Sequence, residues 1–217
     1  NFSVDDIYLR GRIDRLDQLS SDYLGAIDYK SSAHSFKLQD AYDGLSLQFM
    51  TYLDVIKEAF PNQKIWGALY LQFKNQPINL SEINHLSEIA GLLKESMRYD
   101  GLVLEEAADQ IKAIENITVK KSNIYNQEEF EQLLKLNENH YQHAGQRLKS
   151  GQIAINPIMK RSEGIDQTGN VRGCRYCPLK SICRFEANVH MNDHSREIGQ
   201  KSQAEILAEL KGEGRNE

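Results

Sequence analysis

Apolar and polar residues alternate from Ile7 to Asp17, so that Ile7, Leu9 and Ile13 share one side and Arg10, Arg12 and Asp14 the other. That period of two predicts a half-buried strand. Ser20-Ser21-Asp22 supplies turn chemistry, and Tyr23–Lys30 is the returning strand of a predicted hairpin. A helix is expected from about 39 to 59, where Leu45, Phe49, Tyr52, Leu53, Ile56 and Phe60 fall on one stripe and Pro61 follows its end. Lys64–Phe73 then reads as a well-buried strand rich in aromatic residues. The result is a strand–strand–helix–strand core.

From Ser81 the pattern turns helical, with Ile83, Leu86, Ile89, Ala90, Leu92 and Leu93 forming a stripe. Residues 104–114 predict a short helix, and 126 to about 149 a longer one that Gly151 ends. An irregular, glycine-bearing segment follows and carries the cysteines. Beyond His190 the chain is polar, and only Ile206, Leu207 and Leu210 suggest a short helix in a tail expected to be mobile. The expected division is one domain over 1–189, with a core at 7–75, a helical part at 81–150 and a cysteine loop at 170–186, followed by the tail at 190–217.

Composition narrows the class. A chain of 217 residues that is 40% hydrophobic and 26% charged has the make-up of a globular protein with a sizeable core. No apolar run approaches the roughly 18 residues of a membrane span. The N-terminus has neither an initiator Met nor the basic and apolar segments of a signal peptide, so the chain is expected to be a piece of a longer protein, and its three clustered cysteines lead to the expectation of a cytoplasmic one. A net charge of −5 gives no general attraction to nucleic acid, so any such contact rests on local patches.

The candidate chemistry lies in Gly11-Arg12-Ile13-Asp14-Arg15 and Ile27-Asp28-Tyr29-Lys30. Side chains two apart on a strand face the same way, so Asp28 and Lys30 project together. Phosphodiester hydrolysis needs a cation at the scissile phosphate, and Mg²⁺ or Mn²⁺ takes carboxylate and carbonyl oxygens. Asp14, Asp28 and the backbone carbonyl of Tyr29 are suitable ligands, while Lys30 would orient the nucleophile or stabilise negative charge. Spacing alone favours a solvated, salt-bridged strand face. Gln48 and Tyr52, one helical turn apart, can reach the same site, although such a stripe also suits a core. Arg10, Arg12 and Arg15 are possible phosphate contacts.

These three segments, ending in Gln48-x-x-x-Tyr52, together resemble the motif series of the PD-(D/E)xK nucleases of the RecB type. The resemblance implies an α/β, restriction-endonuclease-like core with a mixed β-sheet flanked by helices, followed by a helical C-terminal half and a cysteine-rich loop. It also implies that Asp14 and Asp28 hold metal, that Lys30 is the catalytic lysine, and that Gln48 and Tyr52 line the site. The family usually has a Glu or His on a helix before the first motif strand. Only thirteen residues precede Asp14, so that ligand is expected outside this chain, with His34 a substitute by position.

All three cysteines lie in Cys174-x₂-Cys177-x₅-Cys183, a spacing that lets thiolates share one metal or cluster in a reducing compartment. His190 or His194 could complete a zinc site, and three reduced thiols without metal are the plain alternative. With the nuclease motifs upstream, the pattern resembles the C-terminal end of the AddB or RexB family of subunits of bacterial ATP-dependent helicase–nucleases. That resemblance implies a [4Fe–4S] cluster whose fourth Cys lies far upstream. It further implies DNA as substrate, a helicase–nuclease partner subunit of the AddA or RexA type, and exonucleolytic DNA cleavage in double-strand break repair and recombination. The competing classes are a catalytically silent nuclease fold used for DNA binding or subunit docking, and a zinc-stabilised interaction domain.

Overall fold

The computed structural model describes residues 2–4, 7–20, 22–73, 91, 97–114, 117, 119–167, 169–186 and 194–212. Its framework is a five-stranded mixed sheet built from β3 (Arg15–Leu19), β4 (Tyr23–Lys30), β5 (Lys64–Phe73), β6 (Met97–Leu104) and β7 (Ile124–Tyr125), in that spatial order. The β3–β4 and β5–β6 pairs are antiparallel, and the β4–β5 and β6–β7 pairs are parallel. Two further pairs lie outside it: β1 (Phe2–Val4) with β2 (Ile7–Leu9), antiparallel, and β8 (Ile158–Lys160) with β9 (Arg196–Ile198), parallel.

Period-two alternation sends the central strands' side chains into two separate cores. Ala26, Ala68, Tyr70, Leu102 and Leu104 face one layer, where they meet Phe49, Met50, Leu53 and Ile56 of α2 (Gln48–Ala59), Phe130, Leu133 and Leu134 of α4 (Gln127–Lys149), and Ile206 of α6 (Gln203–Leu210). Ile27, Leu69, Leu71 and Val103 face the other layer, against Ala107, Ala108 and Ile111 of α3 (Glu105–Lys112). Helices therefore flank both faces of the sheet, as the α/β expectation requires. Asp28 and Lys30 share the alternation of Ala26, which directs them to the α2 side.

Two glycines permit the closest approach at the sheet's centre. The β4–β5 register slips by one residue at Trp66, which pairs with neither Leu24 nor Gly25. Gly67 takes φ +139 there, and a Cβ on it would fall 2.2 Å from the Leu102 carbonyl oxygen. A Cβ on Gly25 would fall 2.1 Å from the Trp66 ring. The slip turns Trp66 into the α3-side core, where its Nε1 donates to the Asp17 carbonyl at 3.0 Å.

Several expectations change. The strand foreseen over 7–17 is broken: β2 ends at Leu9, Arg10–Ile13 has no regular structure, Asp14 sits at a bend, and β3 begins at Arg15. Gly11, a poor strand former, lies inside the break. The helix expected from 39 to 59 is two helices, α1 (Leu38–Tyr42) and α2, separated by a turn in which Gly44 takes φ +74. The long helix stands as α4, begun by a reciprocal cap: Glu129 N–H donates to Asn126 Oδ1 at 2.9 Å, and Asn126 N–H to Glu129 Oε2 at 3.2 Å. The helix expected between 81 and 93 falls outside the described residues, Gly91 excepted.

Within the segment expected as a mobile tail, α6 instead returns to the core. Ile206 is 1% exposed, and Lys201 and Tyr42 both bond Glu209 of α6. A polar tail with three apolar residues was too short a pattern to reveal that one of them is a core side chain.

Candidate active site

Four side chains form a closed polar network between the C-terminal end of β4 and the first two turns of α2. Gln48 Nε2 donates to Asp28 Oδ1 at 2.9 Å and to the Tyr52 hydroxyl at 2.7 Å, while its Oε1 accepts from Lys30 Nζ at 3.3 Å. Tyr52 Oη in turn lies 3.2 Å from Asp28 Oδ1 and 3.2 Å from the Arg12 carbonyl oxygen. The i, i+4 spacing on α2 puts Gln48 and Tyr52 one above the other, and the period of two on β4 aligns Asp28 with Lys30.

Asp28 is 3% exposed, and burying a carboxylate is costly unless it is paired and hydrogen-bonded. Its two oxygens are treated differently. Oδ1 takes the donors of α2, whereas Oδ2 is buried with no hydrogen bond and lies 2.6 Å from Lys30 Nζ, close in charge but out of line for a bond. Lys30 Nζ also sits over the Tyr70 ring, 5.2 Å from its centre. Burial pushes the Tyr52 phenol pKa up, the Gln48 bond opposes this, and the charges of Asp28 and Asp14 add to the rise. The phenol is thereby held protonated as a donor.

Asp14 reaches the same place from the bend before β3. Its Oδ2 accepts from the Tyr29 N–H at 3.2 Å, setting an exposed carboxylate against the Tyr29 main chain, next in sequence to Asp28. Two carboxylates and main-chain oxygen are hard donors of the kind Mg²⁺ or Mn²⁺ takes, and Asp28 Oδ2, buried without a hydrogen bond beside the Lys30 ammonium, is an acceptor that a cation would also satisfy. The donors present fit such an ion, as an incomplete set. Among the described residues, no three His, Cys, Asp or Glu side chains group to hold a metal.

Other candidates are sorted by the structure. His34 is exposed, with Nδ1 3.2 Å from Ser32 Oγ and 3.1 Å from the Ser32 carbonyl oxygen, and it joins no group of three potential ligands. Arg15 is occupied: its guanidinium grips both Asp17 oxygens at 2.5 Å and reaches the Tyr29 hydroxyl at 3.4 Å, so it is not a free phosphate contact. Those bonds, Asp17 first, hold its pKa above the ordinary value. Arg10 and Arg12 are exposed on the loop before Asp14.

Cys174, Cys177 and Cys183 are free thiols on one stretch that ends in the short helix α5 (Lys180–Cys183), turned by a Cys177 N–H bond to the Cys174 carbonyl at 3.2 Å. They are not gathered into a metal-holding group. Burial raises the Cys174 pKa, and nearness to Cys177 and Cys183 adds to it against Lys180. The chain has no fourth cysteine, His190 lies outside the described residues, and His194 is exposed.

Behind the network lies a second polar chain that sequence reasoning missed. Thr51 of α2 donates to the Leu47 carbonyl at 2.8 Å, which uses its single proton, so Tyr141 of α4 donates to Thr51 Oγ1 at 2.8 Å. Asn137, one turn earlier on α4, donates to buried Asp54 at 2.7 Å. Asn137 and Tyr141 are four apart on the apolar stripe of α4, a signal that polar groups face inward there, but nothing local named their partners.

Comparison with known proteins gives a consistent picture. The family model described as the PD-(D/E)XK nuclease superfamily matches residues 1–184. The exonuclease/helicase subunit RexB of Lactococcus lactis subsp. cremoris is 89% identical over all 217 residues, which cover 20% of that protein. An ATP-dependent helicase/deoxyribonuclease subunit of Streptococcus agalactiae serotype Ia is 36% identical over 85% of this chain and 16% of its own length. The like-named protein from Enterococcus faecalis is 31% identical over 94% of this chain and 19% of its own. The chain thus spans about a fifth of the length of the curated relatives it matches.

Proposed function

The chain belongs to the PD-(D/E)XK nuclease superfamily, and from that premise we propose that it is the metal-dependent deoxyribonuclease domain of a cytoplasmic helicase–nuclease, cleaving DNA exonucleolytically beside a helicase partner subunit. The observation that carries the reading is the network in which Gln48 ties Lys30, Asp28 and Tyr52 together at one strand end. The names of the relatives, an exonuclease/helicase subunit and ATP-dependent helicase/deoxyribonuclease subunits, support the whole-protein assignment. Among the described residues, no helix is long and apolar enough to cross a membrane.

In this reading Asp14, Asp28 and the Tyr29 carbonyl hold Mg²⁺ or Mn²⁺. When bound, that cation neutralises the scissile phosphate and lowers the pKa of the attacking water. Lys30 supplies a fixed positive charge that orients the nucleophile or offsets charge developing on the phosphate. Gln48 accepts from the ammonium and donates to the carboxylate, which keeps both in register. Tyr52 joins the loop at Arg12 to Asp28 Oδ1, which leaves Oδ2 for the cation.

The cysteine loop is assigned the role of three thiolates for a [4Fe–4S] cluster, the fourth ligand coming from outside this chain. Its support is the Cys174-x₂-Cys177-x₅-Cys183 spacing, which lets three thiolates share one cluster.

The test is degradation of single-stranded DNA with Mg²⁺ by the full-length protein and its partner subunit, comparing wild type with Asp28→Ala. Loss of cleavage in the variant is expected. Equal rates would overturn the assignment.

A further inference from the structure

A cavity of about 290 Å³ adjoins the network, and Gln48 and Tyr52 line both. Its walls come from the loop before Asp14, from α2 and from α4. Ile13 and Val55 are apolar, Tyr141 of α4 is aromatic, and Arg10 and Arg12 bring two exposed cations to it. The volume lies at the small end of ligand pockets, which begin at roughly 300 Å³. It suits one nucleotide and excludes a duplex.

The cavity is preformed. The Tyr141 hydroxyl is anchored on Thr51, which fixes that ring, and the Tyr52 contact with the Arg12 carbonyl pins the loop carrying Arg10 to Ile13. A ring held in place beside apolar side chains presents a stacking wall for a flat, aromatic ligand, which every nucleobase is. Cations beside such a wall match the phosphate attached to that base.

We propose that this cavity takes the base of the nucleotide next to the scissile phosphate, that Tyr141 is its stacking residue, and that the site thereby selects single-stranded DNA. The inference rests on the nuclease reading and deepens it. A paired and stacked base enters only after being flipped out, which breaks its pairing and stacking, whereas a single strand offers its bases already exposed. Arg10 and Arg12 then contact the backbone, and the shared Gln48 and Tyr52 place the bound nucleotide against Asp28 and Lys30.

The experiment uses the full-length protein with its partner subunit and a short single strand carrying 5-iodouracil, irradiated in EDTA so that no cleavage occurs. A cross-link is expected within the tryptic peptide Leu136–Arg147, which contains Tyr141. It should vanish in Val55→Trp, which fills the cavity from the opposite element and leaves Tyr141 in place. With Mg²⁺, Tyr141→Ala should raise KM for the single strand about tenfold, the scale of one lost base–aromatic stack, with kcat within about threefold. No cross-link in that peptide, a cross-link unchanged by Val55→Trp, or an unchanged KM in Tyr141→Ala would each overturn the proposal. Asp28→Ala separates the two readings: it should abolish cleavage and keep the cross-link. Undiminished cleavage in that variant would remove the nuclease assignment, while the cross-link would still decide the cavity's role.

Discussion

Lys30 Nζ lies 2.6 Å from Asp28 Oδ2, two residues away on the same strand and the same face of the sheet. The ammonium is the charge that compensates a buried oxygen having no hydrogen bond of its own. Removing one member of a buried pair costs about 3–5 kcal/mol, less where one partner is partly solvated, as Lys30 is. Lys30→Met is therefore expected to lower stability by about 2 kcal/mol in EDTA, and Mg²⁺ should recover part of that loss through Asp28. Thermal melts with and without Mg²⁺ check it. The cation should raise the melting temperature of wild type and of Lys30→Met and leave Asp28→Asn unmoved, so an equal rise in Asp28→Asn would show that Asp28 holds no ion.

Tyr52 has one hydroxyl proton and two acceptors within 3.2 Å, Asp28 Oδ1 and the Arg12 carbonyl. It also accepts from Gln48. Tyr52→Phe removes one donor from Asp28 and leaves Gln48 to hold the carboxylate, so the loss should be about tenfold in cleavage rate and about 1 kcal/mol in stability. Gln48→Ala frees Lys30 as well and should reduce the rate by about a hundredfold. Steady-state cleavage of a labelled single strand would reveal a reversed order, which would mean that Tyr52 rather than Gln48 organises the site.

Asp54 is 4% exposed on α2, and burial pushes its carboxyl up to about 7, against the Asn137 bond and with the charge of Glu138 adding to the rise. In the unfolded chain it titrates near its ordinary 3.8. Between those values the native state keeps a proton that the unfolded state releases. Stability present below pH 4 is therefore lost as pH rises to about 7, by up to about 4 kcal/mol, and is flat above. Asp54→Asn keeps an acceptor for Asn137 and has no proton to lose. Urea unfolding should find the variant clearly more stable than wild type at pH 8 and nearly equal at pH 4. Parallel pH profiles would locate the titration elsewhere.

Where the sequence carried a strong period, the structure follows it. Lys64–Phe73 is β5 to the residue, and the hairpin strand Tyr23–Lys30 and the long helix from Asn126 hold their places. The relation of Asp28 to Lys30 was legible because strand geometry fixes it, and that of Gln48 to Tyr52 because helix geometry does. β6 was hidden: Arg98, Asp100 and Gly101 break its apolar pattern, and Leu102-Val103-Leu104 runs straight into α3. The Gly44 turn was masked by a stripe that continues in register through Leu45. Contacts between distant elements, such as Thr51 with Tyr141, leave no local pattern at all, since each residue alone is compatible with an ordinary helix face.

The place of α6 offers the sharpest structural test, because the sequence pointed to a tail and the structure to a core element. Ile206 is 1% exposed and belongs to the same core as Phe130 and Leu133, while Leu148, at the end of α4, is 76% exposed. Truncating a buried Ile to Ala removes transfer energy and leaves a cavity, typically costing about 2–5 kcal/mol, whereas an exposed leucine has little of either to lose. Ile206→Ala should accordingly lower the stability of the protein by about 3 kcal/mol and Leu148→Ala by less than about 0.5. Chemical denaturation of both variants decides it: if Ile206→Ala unfolds at the wild-type midpoint, α6 does not close the core against α4, and Lys201 and Tyr42 hold Glu209 only at the surface.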